Sequence, residues 1–248
     1  MSEEPRVAFV TGASSGIGRA TAEAFLRKGY RTVLVDRDDT AGREAEAEFS
    51  ALGECMYLSC DVSQDAAVEA AVAQTVEKWG RIDAAFNGAG IDGAGGTAAT
   101  HDEAEFDRIV AINLKGVWLC MRHQLRQMLK QGGGAIVNCS STAGLVGTPG
   151  MIAYVAAKHG VSGMTRAAAL ENARAGIRVN AVCPGMIDTP MWQRSISEEL
   201  TAQLLENDPA GRLGKPEEIA AAVVFLCSPE ASFANGAVMP VDGGFTAQ

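Results

Sequence analysis

The chain has 248 residues, 47% of them hydrophobic, with a formal net charge of −9 and six cysteines. That length suits one large α/β domain or two small ones, and the apolar fraction argues against a disordered chain. The negative charge disfavours nucleic acid and anionic membrane as partners, because long-range attraction would carry the wrong sign.

The start, Met1-Ser-Glu-Glu-Pro, shows no basic stretch followed by an apolar run, so no secretion signal is expected. The longest compact apolar run, Ala220 to Cys227, is too short to span a bilayer. Cys55, Cys60, Cys120, Cys139, Cys183 and Cys227 include no C-x-x-C pair, so buried free thiols are expected rather than a metal or redox centre. A soluble cytoplasmic protein, in a reducing compartment, is the consequence.

In chain order, Arg6 to Val10 is a β-branched run that ends in a glycine-rich turn. Gly18 to Lys28 reads as a helix with Ala20, Ala24 and Phe25 on one side and Gly29 at its end. Strands follow at Arg31–Val35 and Met56–Cys60, with a charged helix Asp38–Leu52 between them. Ser63–Trp79 is the third helix, with Ser63 as its expected N-cap, and Ile82–Phe86 the fourth strand. After a loop of small residues, Gly88–Thr100, apolar periodicity predicts one long helix from Glu103 to about Gln131. Strand Ala135–Cys139, helix Ile152–Ala175 and strand Arg178–Cys183 come next. A short helix Ser197–Asn207, a helix Pro216–Cys227 with proline in its first turn, and strand Val238–Val241 complete the series.

Strands alternating with helices imply right-handed βαβ units. The expected fold is a single doubly wound α/β domain of Rossmann type over residues 1–248. Its parallel seven-stranded sheet would carry helices on both faces. Ligands in such sheets bind beyond the carboxyl ends of the strands, where most of the unusual residues fall.

The first cluster is Thr11-Gly12-Ala13-Ser14-Ser15-Gly16-Ile17-Gly18. Bare backbone there lets the chain turn sharply and lets a diphosphate meet helix N–H groups. The spacing is G-x-x-x-G-x-G rather than G-x-G-x-x-G, and a tight strand–helix connection explains it equally well. Asp36 ends the second strand 18 residues after Gly18, placed to accept hydrogen bonds from ribose hydroxyls and to repel a 2′-phosphate. It therefore favours NAD over NADP, with Arg37 as the counter-argument because a guanidinium pairs with phosphate. Asp61 and Val62 end the third strand, and Asn87-Gly88-Ala89-Gly90 the fourth. Asp61 is suited to the adenine amino group, and the second turn to lying under a ribose.

Tyr154 and Lys158, four apart on a predicted helix, share one face. An ammonium beside a phenol favours phenolate and brings the hydroxyl toward working pH as a proton donor or acceptor. Asn138-Cys139-Ser140-Ser141 supplies hydroxyls at the end of the fifth strand, suited to donating to a substrate oxygen. Asn113 lies within the long helix as a poor helix former, suited to kinking it or holding a water.

Together these residues resemble the short-chain dehydrogenase/reductase family. The resemblance runs from Arg6 to the end, through Thr11–Gly18, Cys60-Asp61-Val62, Asn113-Leu-Lys-Gly116, Ser140-Ser141, Tyr154-x-x-x-Lys158, Pro184-Gly185 and Val241-Asp-Gly-Gly244. It implies a catalytic tetrad of Asn113, Ser141, Tyr154 and Lys158, with Ser141 chosen over Ser140 by its 13-residue spacing from Tyr154. It also implies a nicotinamide against Pro184-Gly185, its carboxamide held by the Ile187 backbone and the Thr189 hydroxyl, and no metal. In the family's mechanism Tyr154 exchanges the proton, Ser141 bonds the reacting oxygen, Lys158 lowers the Tyr154 pKa and bonds the ribose, and Asn113 holds a water. The family commonly has two Asn after the fourth strand. Gly88 stands in the second place, which implies a missing brace of the central sheet.

The expected substrate pocket comprises segments 91–96, 144–151 and 186–205, with a lid around residues 189–210. Ile91, Val146, Met151, Met186, Met191 and Trp192 line it, together with Ser141 and Tyr154, and favour a neutral, fairly apolar secondary alcohol or ketone. Asp92 and Arg194 would contradict this by turning inward. An NADPH-dependent 3-oxoacyl-thioester reductase and a non-catalytic NAD-binding sensor or scaffold remain as alternatives. The resemblance further implies a homotetramer formed through the two long helices and the C-terminal segment.

Overall fold

The computed structural model describes residues 5–93 and 95–247. The first four residues of the N-terminal stretch and Ala94 of the 91–96 segment lie outside them. Seven parallel strands form one sheet: β1 (Val7–Thr11), β2 (Arg31–Asp36), β3 (Cys55–Ser59), β4 (Ala84–Asn87), β5 (Gly134–Cys139), β6 (Ile177–Pro184) and β7 (Val238–Val241). Their order across the sheet is β3-β2-β1-β4-β5-β6-β7. The winding reverses between β1 and β4, and that switch point opens a crevice at the strand ends.

The strands are short and apolar because both faces are covered. Alternation along each strand sends neighbours to opposite sides. Phe9, Val33, Val35, Ile136 and Val179 pack on one face, with Val68 and Val72 of α3 (Asp65–Trp79) and Leu119 and Met128 of α5 (Val117–Gln131). Ala168 and Ala169 of α6 (Ile152–Asn172) join that layer. Val10, Leu34, Phe86, Val137 and Val182 pack on the other face. There they meet Phe25 and Leu26 of α1 (Gly16–Arg27), Phe49 of α2 (Asp39–Phe49) and Ile219, Val223 and Leu226 of α9 (Pro216–Cys227). Each fully buried side chain of this size contributes about 1.5–3 kcal/mol.

Three local expectations are corrected. Ser63 is not the cap of α3; Gln64 precedes the helix, and the Ser63 N–H instead donates to Asp61 Oδ1 at 2.9 Å. The long helix is two helices, α4 (Glu103–Val110) and α5, joined by a π-helical segment Ala111–Gly116. Residues 190–195, not expected to be helical, form α7 (Pro190–Ser195), ahead of α8 (Glu198–Glu206). Thr189 caps α7 by accepting from the Trp192 N–H at 3.2 Å, and Pro190 starts it.

Five of the six cysteines are buried, Cys55 is half-buried, and all are free thiols. Burial pushes Cys60 up to about 11 and Cys227 up to about 12, so both stay protonated and inert near neutrality.

Candidate active site

The cleft is assembled at the carboxyl ends of β1 to β6. After β1 the chain makes its glycine turn, with Gly12 at φ 72° and Gly16 at φ 51°. A Cβ on Gly18 would lie 2.0 Å from the Gly12 carbonyl oxygen, so the turn closes on itself only with bare backbone there. The N-terminus of α1 points into this turn, with Ser14, Ser15 and Ile17 around it.

Asp36 is tied to the same turn. Its Oδ2 accepts from Ser14 Oγ at 2.6 Å and from the Ser14 N–H at 3.1 Å. Its Oδ1 accepts from the Arg37 N–H at 2.7 Å and from Asp38 N–H at 3.2 Å. Tyr57 steadies the position from below, donating to the Asp36 carbonyl at 3.0 Å and to Asp39 Oδ1 at 2.9 Å. Burial and the Asp39 bond push this phenol up to about 12, so it remains a donor. Asp61 shapes its own turn, and Val62 is buried against Gly116 of the π-helical segment.

Asn87 does not face the cleft as a free amide. It is buried and exchanges hydrogen bonds with Gln124 of α5 at 3.0 and 2.8 Å, and it donates to Asn138 Oδ1 of β5 at 2.9 Å. Asn138 donates on to Thr165 of α6 at 3.0 Å. This network braces the sheet centre, so Gly88 does not leave it without a brace. Gly88 instead lies against Phe86 and the Thr11 carbonyl, too close for any side chain. The Ala89 N–H donates to Thr11 Oγ1 at 3.2 Å, holding this turn against the end of β1.

The structure brings the four expected tetrad residues to one end of the sheet. Lys158 is buried and donates through Nζ to the Cys139 carbonyl at 2.8 Å. Its ammonium stands 5.4 Å from the Tyr154 ring centroid. The Tyr154 hydroxyl has no hydrogen-bond partner among the described residues. Ser140 is consumed in packing, bonded to the Lys158 carbonyl at 3.0 Å and to Ser162 Oγ at 2.9 Å. Ser141 is half-buried, and its Oγ accepts from the Ala143 N–H at 3.1 Å, which leaves its proton free for another acceptor.

Asn113 uses its amide on backbone. Nδ2 donates to the Ile91 carbonyl at 2.7 Å, and Oδ1 accepts from the Ile91 N–H at 2.8 Å. This clamp fixes Ile91, which packs with Tyr154 and Leu114 against Ile109, Ala153 and Ala157. Asn113 Oδ1 and Lys158 Nζ lie 3.2 and 3.8 Å from the point that a Cβ on Gly90 would take. Gly90 therefore keeps open the space the two share.

On the substrate side, Met151 precedes α6 and bridges to Gly96, Val146 is exposed, and Met191 and Trp192 are half-buried on α7. Pro184 ends β6, and the Gly185 N–H donates to the Val241 carbonyl at 3.2 Å. Ile187 pairs with Gly214 in a parallel bridge made by the Met186 carbonyl and the Asp188 N–H. The N–H and C=O of Ile187 itself are not used by that bridge. Thr189 methyl is 3.3 Å from the Cβ position of Gly16, so the lid starts directly over the glycine turn. Met186 and Ile187 also line a cavity of about 370 Å³ with Arg212, Glu218 and Asp242. Sequence reasoning missed the Cys139 carbonyl, because a backbone acceptor leaves no residue signature. It missed the role of Tyr57 as well, since its partners are distant in the chain.

A glycine turn under a helix, an acidic strand end and a lysine-backed tyrosine define a dinucleotide-dependent oxidoreductase. The residues fit a nicotinamide dinucleotide, since the two turns that would receive it are bare backbone, and side chains at Gly12, Gly18 and Gly88 would collide with the Ala89 backbone, the Gly12 carbonyl and Phe86 and force those turns apart. A family model described as Enoyl-(Acyl carrier protein) reductase matches residues 12–246. Levodione reductase of Leifsonia aquatica is 42% identical over 252 residues, covering 98% of this chain and 94% of that protein. A 2,5-dichloro-2,5-cyclohexadiene-1,4-diol dehydrogenase of Sphingobium indicum is 43% identical, with 96% of each chain covered. Cyclohexanol dehydrogenase of an Acinetobacter strain is 41% identical over 98% of this chain and 96% of its own. The crystal structure of levodione reductase superposes with a TM-score of 0.94 at 41% identity, over 98% of both chains. The chain belongs to the short-chain dehydrogenase/reductase family. It is an oxidoreductase that interconverts alcohols and ketones with a nicotinamide dinucleotide. Among the described residues no helix is long and apolar enough to cross a membrane, and no group of His, Cys, Asp and Glu could hold a metal.

Proposed function

We propose that the protein is an NAD(H)-dependent dehydrogenase of ring-borne secondary alcohols and the corresponding ketones. The Tyr154 hydroxyl, without a hydrogen-bond partner among the described residues and set beside buried Lys158 and apolar Ile91, carries this reading. Relatives at 41–43% identity named for levodione, a cyclohexadienediol and cyclohexanol support the six-membered ring.

Bound nicotinamide supplies or accepts the hydride. Tyr154 Oη gives its proton to the carbonyl oxygen in reduction and removes the hydroxyl proton in oxidation. The Lys158 ammonium, set over the Tyr154 ring, bonds the nicotinamide ribose. Ser141 Oγ donates to the reacting oxygen, where charge develops. Asn113 holds the Ile91 wall and, in the space kept by Gly90, a water that links Lys158 to solvent. Gly12, Ser14, Ser15, Gly16, Ile17 and Gly18 meet the diphosphate, while Asp61, Val62 and the Asn87–Gly90 turn flank the adenosine. Pro184, Gly185, Ile187 and Thr189 hold the nicotinamide. Ile91, Val146, Met151, Met186, Met191 and Trp192 line the substrate side under a lid at about residues 189–210.

Asp36 favours NAD, because its Oδ2 is held against Ser14 of the glycine turn and its charge repels a 2′-phosphate. Exposed apolar side chains, among them Trp118, Leu170, Phe225 and Phe233, support assembly into a homotetramer. Free thiols support a cytoplasmic location. The test is a panel of cyclic and acyclic secondary alcohols and ketones with each cofactor, followed by reduced-nicotinamide absorbance. Turnover of six-membered rings with NAD is expected. Turnover only of acyl thioesters with NADPH would contradict the reading.

A further inference from the structure

Among the described residues, a side-chain hydrogen bond joins the 91–96 loop to the lid. Ser195 Oγ donates to Asp92 Oδ2. Each end of this contact is connected to something larger. Asp92 follows Ile91, whose N–H and C=O are both clamped by Asn113. Ser195 ends α7, and the Trp192 indole donates to Thr201 Oγ1 at 3.1 Å, joining α7 to α8. The charge of Asp92 is therefore turned to the lid, not into the substrate space. Neither α7 nor α8 buries a residue, so packing holds the lid weakly and this bond weighs heavily in its position.

We propose that Asp92 is a positioning residue that sets substrate size: through Ser195 it holds α7 and α8 closed against the Ile91 wall beside Tyr154. A charge-assisted bond of this kind shifts an open–closed balance by roughly ten-fold or more. Closed, the lid brings Met191 and Trp192 to a compact substrate; released, it leaves the mouth wide. The proposal rests on the alcohol–ketone reading for its kinetic readout and not for its structural one.

Asp92→Ala, Ser195→Ala, their double variant and Asp92→Asn test it by two measurements. The first is the rate of trypsin cleavage after exposed Arg194, which needs no turnover. It should rise about five-fold or more in each alanine variant, by no more in the double variant, and by little in Asp92→Asn, which keeps an acceptor. The second is kinetics with cyclohexanol and a fused two-ring alcohol. The KM for cyclohexanol should rise about five- to ten-fold, with kcat and the KM for NAD within about two-fold, while the fused alcohol gains relative to it. Unchanged cleavage, an effect of the double variant equal to the product of the singles, or an asparagine variant as impaired as the alanine one would overturn the proposal. Should the wild type fail to oxidise cyclohexanol, the ring-alcohol reading fails, and the cleavage rates still decide the latch.

Discussion

The two halves of the cleft are built by different means. The nucleotide half rests on buried strand ends: every residue of β1 and β4 is buried, and α1 buries six residues behind the glycine turn. The substrate half is roofed by α7 and α8, which bury none; the Trp192–Thr201 bond ties them to each other and the Ser195–Asp92 bond ties α7 to the 91–96 loop. The first half holds a shape common to many reactions. The second is free to vary with substrate at little cost to the fold.

On that contrast, damage to the first half disables binding, and damage to the second only retunes it. The largest effect belongs to Gly18→Ala. Its new Cβ meets the Gly12 carbonyl, and NAD affinity by titration calorimetry should fall more than about 100-fold with the far-ultraviolet spectrum preserved. Asn87→Ala should follow. Removing the amide leaves Gln124 and Asn138 short of partners, and urea unfolding should show a loss of about 2–3 kcal/mol. Asp36→Ala should lower the NAD-to-NADP ratio of kcat/KM roughly ten- to 100-fold, through loss of ribose bonding and of charge repulsion. Smallest is Trp192→Phe, which removes the bond to Thr201. KM for substrate should rise about two- to five-fold with stability within about 0.5 kcal/mol. A large stability loss in this last variant would erase the distinction between the halves.

The same division governs what was legible in the sequence. The alternation of strands and helices along the chain, the glycine turn and the Tyr154–Lys158 pair were readable because they rest on local periodicity and fixed spacing. Helix α7 has six residues, too few for an apolar period, although Thr189-Pro190 is a capping signal in plain view. The π-helical segment at Asn113 was not readable. Its partner, the Ile91 backbone, lies 22 residues away, and only the tertiary fold brings the two together. Nor was the brace at the sheet centre readable, because Asn87, Gln124 and Asn138 meet across α5 and β5. The Ser63 expectation failed because Asp61 takes the Ser63 N–H into its own turn, and α3 begins two residues later.

The central claim is that Tyr154 carries the proton. The direct measurement is steady-state turnover of the Tyr154→Phe variant beside its NAD affinity. The account predicts kcat lower by about 10²–10⁴-fold, with the dissociation constant for NAD within about two-fold of wild type. Near-full turnover with intact NAD binding would contradict it.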